Sequence, residues 1–242
     1  MDHATTGAGT GPGTDPGTGP GPASGTSPAG GTPSFSAVPT TRGRRRCPAW
    51  VPALVLALTV GQLLLGTFAT GLEQFADKAF GARLVTYPLL MLAAPAAWWL
   101  TPARRRGEPP PWGPCSLVML PFLVDVTGNT LDLYDTVGWW DDANHLVNWF
   151  LLCSGLGLLC LSGVRPPWAV VLAVTGLGAL LAIGWELGEW FTFIRHGTEL
   201  DTAYTDTLGD EALGTLGALA AGLLVGSRAP RAGLPRRPPL ED

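Results

Sequence analysis

Long apolar runs with almost no charge constrain this chain more than any other feature of its sequence. A helix needs about 20 predominantly apolar residues to cross a hydrocarbon core of ~30 Å. The sequence therefore predicts an all-α, polytopic membrane protein with about six transmembrane helices. The apolar runs cover residues 50–70, 84–100, 116–133, 143–161, 168–193 and 212–225. The last run is short, and we expect its helix to start earlier, with Asp210 in the first turn.

The basic residues predict the orientation of these helices. Cytoplasmic loops of membrane proteins carry an excess of Lys and Arg. If the N-terminus is cytoplasmic, only Lys78, Arg83 and Arg195 of the 15 basic residues fall in external loops. We therefore expect both termini in the cytoplasm. The protein should be a multi-pass protein of the cell (plasma or inner) membrane, with the lipid bilayer as partner and no nucleic acid.

Composition divides the chain into three predicted segments. Residues 1–46 are rich in Gly, Pro and Thr and end in an arginine cluster. Such a segment cannot bury enough apolar surface to fold, so we expect a disordered cytoplasmic tail with a basic end. Residues 47–226 form the predicted transmembrane domain, and residues 227–242 form a basic cytoplasmic tail. The four cysteines make no CxxC pair, which argues against a zinc site or a disulfide framework.

Acidic residues gather at the predicted external ends of the helices. Glu186 and Glu189 stand three residues apart at the end of the fifth run, and Asp206 and Asp210 precede the sixth. Acids with this spacing share one helix face. Carboxylates so close to hydrocarbon are kept mainly where they pair, bind an ion or line a polar cavity. Separate helices are therefore predicted to deliver carboxylates to one leaflet.

The fourth run opens with an acid-acid-histidine element. His145 follows Asp141 by four residues and Asp142 by three, so either carboxylate can hydrogen-bond the imidazole and fix its tautomer. Asn148 adds an amide one turn further along the same run.

The third run carries a polar stripe, because Asp125, Asn129 and Asp132 are spaced four and three residues apart. At 1.5 Å per residue, Asp125 lies ~14 Å into the run, close to the midplane. A lone ionised aspartate there costs at least ~2.5 kcal/mol, so it needs a proton, a partner or water inside the bundle. The predicted polar centre, or relay, comprises Asp125, Asn129, Asp132, Asp141, Asp142 and Asn148.

Together these motifs resemble the signature of the YjdF-type bacterial inner-membrane proteins. The resemblance covers roughly residues 125–225 and implies a multi-span membrane protein, but no particular reaction. It departs at Gly214, where the family pattern has an asparagine, and Asn148 is a candidate replacement for that polar group. The matching elements are Asp141-Asp142-x-x-His145, Trp185-Glu186-x-x-Glu189-Trp190, Gly197-Thr198, Tyr204-x-Asp206-Thr207-x-x-Asp210 and Gly217-Ala218.

The first functional hypothesis is a divalent-metal-dependent site at the external leaflet that acts on a lipid-linked or envelope substrate. Carboxylates with one histidine form an oxygen-rich ligand set suited to Mg²⁺, Mn²⁺ or Ca²⁺. The predicted metal ligands are Glu186, Glu189, His145, Asp206 and Asp210.

Two alternatives belong to other classes. One is a proton- or cation-coupled transporter or permease, in which Asp125, Glu186 and Glu189 form a relay. The runs show no evident inverted repeat, which disfavours it. The other is a non-catalytic membrane partner subunit. The sequence contains no P-loop, G-x-S-x-G, H-E-x-x-H or glycine-rich dinucleotide motif, so soluble enzyme classes have no support.

The orientation gives the first testable prediction. Single cysteines placed near Gly107 and Arg165, in a variant without the native cysteines, should be shielded from a membrane-impermeant maleimide in intact cells. Cysteines near Asp77, Thr136 and Thr202 should react with it. External labelling at position 107 contradicts the orientation and the external location of the acidic site.

Overall fold

The protein is an α-helical bundle without β-strand in the part of the chain that the structure describes. The computed structural model describes residues 47–228, except positions 70, 77, 162, 193 and 197. The predicted N-terminal tail, and the C-terminal tail beyond Arg228, lie outside the described residues. The helices are α1 (Trp50–Phe68), α2 (Phe80–Trp99), α3 (Pro102–Arg105), α4 (Trp112–Thr130), α5 (Leu133–Thr136), α6 (Trp140–Cys160), α7 (Pro167–Thr192) and α8 (Ala203–Arg228).

Five of the described helices are long and apolar enough to cross a membrane: α1, α2, α6, α7 and α8. The sixth long helix, α4, has 19 residues, but polar residues in its C-terminal half make it less apolar. It packs against α1, α2 and α6, and Asn129 in its last turn is buried. Its polar groups are thus covered by protein. The predicted all-α, polytopic fold is confirmed.

Helices α6 and α8 start earlier than their apolar runs. Helix α6 begins at Trp140, and α8 begins at Ala203. Both helices begin with a polar turn, and the polar residues Asn144 and Asp210 further along them are buried. Hydropathy marks where the apolar surface ends, whereas the helical backbone continues into the polar part of the bundle. The prediction that Asp210 occupies the first turn of its helix is therefore wrong, and Asp206 occupies that position.

The predicted polar stripe breaks where α4 ends at Thr130. Asp132 follows that end with a φ of 59°, in the left-handed region that aspartate tolerates better than most residues. Asp125 and Asn129 remain on one face, and Asn129 Nδ2 donates to the Asp125 main-chain oxygen at 3.0 Å. The predicted stripe therefore holds for these two residues and fails for Asp132.

Small residues let α8 lie against both α6 and α7. Gly217, Ala218, Ala221 and Gly222 are buried on α8. A Cβ at position 217 would meet the Leu146 carbonyl oxygen on α6 and lie 3.0 Å from the Phe150 nitrogen. Close helix approach of this kind is typical of membrane bundles, where packing replaces the hydrophobic effect as the main driving force.

This packing predicts that Gly217→Val destabilises the bundle. The side chain meets backbone of α6, which cannot move aside as a flexible side chain does, so we expect a loss of about 1–3 kcal/mol. Thermal unfolding in detergent measures the effect. Gly209→Ala, on the same helix but with open space around its Cβ, is the control and should be neutral or slightly stabilising. Equal melting temperatures for Gly217→Val and wild type contradict the packing account.

Candidate metal centre

Three side chains from α6 and α8 converge at one end of the bundle. His145 Nε2 lies 3.6 Å from Asp141 Oδ1 and 3.6 Å from Asp210 Oδ1. One ligand atom from each of the three residues lies within 4.8 Å of the others. Asp141 and His145 are one helical turn apart on α6, and the close packing of α8 brings Asp210 to them. This arrangement defines the candidate metal centre: Asp141, His145 and Asp210.

The centre is mostly shielded from solvent but open on one side. The side chain of Asp210 is 5% exposed and that of His145 is 10% exposed, whereas Asp141 is 43% exposed. The second ring nitrogen of His145, Nδ1, is buried and has no hydrogen-bond partner in the described structure. An exposed aspartate beside two buried groups gives the centre an edge that a small ligand can reach.

The two glutamates of α7 lie beside this centre. Glu186 is buried, at 7% exposure, and its carboxylate interacts with the Thr207 side chain of α8. It is within electrostatic range of Asp141, Asp206 and Glu211. Glu189 is half-buried and lies within electrostatic range of Glu186, Asp141 and Asp125. Helix α7 thus adds negative charge to the region that α6 and α8 enclose.

Two of the sequence-predicted acids stay at the rim. Asp206 occupies the first turn of α8 and is exposed, and Asp142 is exposed beside Asp141. Both still interact electrostatically with Asp210. The side chains of Glu186, Glu189 and Asp206, which the sequence groups as ligands, are not among the three that form the tight cluster. Asp141, which the sequence places in the relay, is one of them.

Asp125 is the centre of a separate hydrogen-bonded network. Its carboxylate accepts hydrogen bonds from the Tyr87 hydroxyl at 2.5 Å and the Tyr134 hydroxyl at 2.8 Å. Asn129 Nδ2 lies 3.3 Å from the same carboxylate, and Arg83 Nη1 lies 3.8 Å away. A carboxylate at this depth therefore has the partners that its position requires.

The network continues from α5 to α6 through two amides. Asn144 Nδ2 donates to the Tyr134 hydroxyl, and Asn148 Nδ2 donates to Asn144 Oδ1 at 2.6 Å. Burial and the nearby Asp125 charge hold the pKa of Tyr134 well above its ordinary value, so its hydroxyl stays protonated and donates to Asp125. Asp125 and Asn148, grouped by sequence in one polar centre, are thereby connected across three helices.

Sequence reasoning missed four members of this network: Arg83, Tyr87, Tyr134 and Asn144. The prediction that Arg83 lies in an external loop is wrong, because it lies within α2 and its side chain is 14% exposed. Two features of the sequence indicated residues of this network. Tyrosines inside apolar runs need partners for their hydroxyls, and Asn144 falls on the same helix face as Asp141 and Asn148.

The family's asparagine position, Gly214, is filled by another helix. A Cβ at position 214 would lie 2.8 Å from Trp149 Cδ1 and 3.0 Å from its Nε1. The Trp149 indole on α6 therefore occupies the room that an asparagine side chain needs at this position.

Helix α5, which carries Tyr134, is anchored by Lys78. Its ammonium lies 2.5 Å from Asp132 Oδ1 and 2.6 Å from Asp135 Oδ2. Partial burial lowers the pKa of Lys78, but the hydrogen bonds to both carboxylates outweigh it, and the net pKa is raised. The hydrogen bond from Lys78 is the main cause of the lowered pKa of Asp132. This ion-pair cluster ties the α1–α2 connection to α5.

Fold and site together define an all-α, polytopic membrane protein with an acidic, histidine-containing cluster at one end of its bundle. The model of the family described as "Predicted membrane protein (DUF2238)" matches residues 49–231. The chain belongs to this family, which confirms the YjdF-type resemblance. Comparison with curated proteins and with solved structures gives no significant match.

The Lys78 anchor predicts a specific pH dependence. A lowered Asp132 pKa contributes stability that is present above the ordinary aspartate value of 3.8 and is lost as the pH falls through the lower folded pKa. Lys78→Gln should therefore lower the melting temperature at neutral pH, and its difference from wild type should shrink below pH 3.8. Thermal unfolding across this range measures both.

The matched control for this prediction is Arg106→Gln. Arg106 forms an exposed ion pair with Glu108, and pairs of that kind contribute little to stability. A difference between Lys78→Gln and wild type that stays constant down to the lowest pH contradicts the assigned role of Asp132.

Proposed function

We propose that this protein binds a divalent cation at the candidate metal centre and uses it to act on a lipid-linked or envelope substrate. The observation that carries the proposal is the convergence of Asp141, His145 and Asp210, whose ligand atoms lie within 4.8 Å of one another. Two carboxylates and one imidazole offer the number and kind of ligands found in open metal sites, which leave positions for water or substrate.

The surrounding charge supports a cation in particular. Glu186 and Glu189 of α7 lie within electrostatic range of Asp141, and Asp206 lies within electrostatic range of Asp210. Carboxylates crowded in a low-dielectric bundle repel one another unless protons or a cation neutralise them. A divalent ion held by the three cluster residues would be stabilised by these further acids, which we propose as its outer ligands or counter-charges.

The position of the centre supports a substrate at the membrane surface. It lies where α6 and α8 begin and α7 ends. Exposed tryptophans, Trp139 and Trp190, lie at the same end. Tryptophan is enriched at the membrane–water interface, which supports a centre at the depth of lipid headgroups. A bound divalent ion at that depth can polarise a headgroup oxygen or lower the pKa of a water.

The hydrogen-bonded network around Asp125 favours a second candidate, a proton relay. Asp125, Tyr134, Asn144 and Asn148 form a continuous chain from α4 to α6. Asp125 also interacts electrostatically with Glu189, which links this chain to α7. Intramembrane carboxylates joined by such chains mark proton pathways in transporters.

A Mn²⁺ titration of the purified protein, followed by electron paramagnetic resonance, tests the metal site. Wild type should bind the ion, and Asp210→Asn or His145→Gln should weaken binding tenfold or more, because each removes a ligand atom while nearly preserving size. Glu186→Gln should weaken binding less, through lost counter-charge.

Asp142→Asn is the matched control, because Asp142 is adjacent to Asp141 but exposed. It should change Mn²⁺ affinity little. Absence of Mn²⁺ binding by wild type contradicts the proposed site and favours the relay. Equal affinities for wild type, Asp210→Asn and Asp142→Asn place the ion elsewhere.

A further inference from the structure

His145 Nδ1 and Asn148 Oδ1 are among the buried polar atoms of α6 that lack hydrogen-bond partners in the described structure. The residues are three apart on one helix, so their side chains are neighbours on one face. A buried polar atom without a partner is costly, and such atoms in native proteins mark sites that a ligand or a rearrangement completes. Because the two unpartnered atoms are neighbours, one ligand or one rearrangement can satisfy both.

The hydrogen-bond chain fixes which atom Asn148 presents. Tyr134 donates its only hydroxyl proton to Asp125, so its oxygen accepts from Asn144 Nδ2. This leaves Asn144 Oδ1 as the acceptor for Asn148 Nδ2. Each donor in the chain dictates the orientation of the next amide. Asn148 Oδ1 is consequently held as a free acceptor.

The proposed metal site fixes which atom His145 presents. Nε2 is the nitrogen that faces Asp141 and Asp210. If Nε2 gives its lone pair to a cation, the proton of the neutral imidazole must reside on Nδ1, which becomes a donor. Metal-ligating histidines usually donate this second N–H to an acceptor that fixes the ring.

We propose that Asn148 is the positioning residue of the metal centre: its Oδ1 accepts the Nδ1–H of His145 when the cation is bound. The inference rests on the proposed metal function. Because the two residues are one helical turn apart on the same face of α6, we expect a rotation of the imidazole to bring donor and acceptor together. The chain from Asp125 through Tyr134 and Asn144 then holds the amide in the orientation that the ligand histidine needs.

The test compares two replacements of Asn148 in the Mn²⁺ titration. Asn148→Leu keeps the size but removes the acceptor, and it should weaken Mn²⁺ binding about 10–100-fold. Asn148→Asp keeps an acceptor oxygen and should restore most of that loss. Ser154→Ala is the control, because Ser154 Oγ is also buried and unpartnered on α6 but lies outside the chain. It should leave the affinity unchanged.

Nitrogen NMR of histidine-labelled wild type tests the same inference without a substitution at Asn148. The chain has three histidines, and His145→Gln identifies the resonances of His145. Loaded with Cd²⁺, a diamagnetic probe, wild type should show His145 protonated at Nδ1 and unprotonated at Nε2.

The outcomes separate the two proposals. If wild type binds Mn²⁺ but Asn148→Leu binds it equally well, the positioning role is overturned and the metal site stands. Protonation of His145 at Nε2 in the loaded protein, or failure of Asn148→Asp to exceed Asn148→Leu in affinity, also overturns the role. If wild type binds neither ion, both proposals fall.

Discussion

Acidic side chains inside an apolar helix bundle are the constraint on which the rest of this structure depends. Each carboxylate there must have a proton, a hydrogen-bond donor or a cation beside it, because hydrocarbon supplies none. The protein meets this requirement in two ways. Asp125 takes donors from tyrosines and lies near an arginine. Asp141 and Asp210 instead share His145. Only the second arrangement leaves carboxylates facing one another.

The two environments have different consequences for the bundle. The Asp125 carboxylate has hydrogen-bond partners on α2, α4 and α5, so it links these three helices. The amides of Asn144 and Asn148 extend this hydrogen-bonded network into α6. The close contact of α8 with α6, permitted by Gly217, then sets the distance between Asp210 and His145. The helix packing and the hydrogen-bonded network thus both help to position the residues of the candidate metal centre.

Sequence patterns predicted the fold class and the polar end of the bundle because hydropathy and helical spacing are local properties. They placed His145, Asp141 and Asp210 among the important residues, but they did not show that these three meet. That grouping depends on the register between α6 and α8, which is set by close backbone packing. The length of the polar start of α8 was underestimated for a related reason: hydropathy cannot distinguish a polar loop from a helix whose polar side is buried. Arg83 was misplaced because a charge normally signals a loop, whereas here a buried carboxylate pairs with it.

We propose that Asp141, His145 and Asp210 hold one divalent cation. Anomalous diffraction from crystals grown with Mn²⁺ is the sharpest test of this site, because the map locates the ion without relying on activity. We expect one strong peak at about 2.0–2.6 Å from Asp141 Oδ1, His145 Nε2 and Asp210 Oδ1. A peak held by other residues, or none at saturating Mn²⁺, would contradict it.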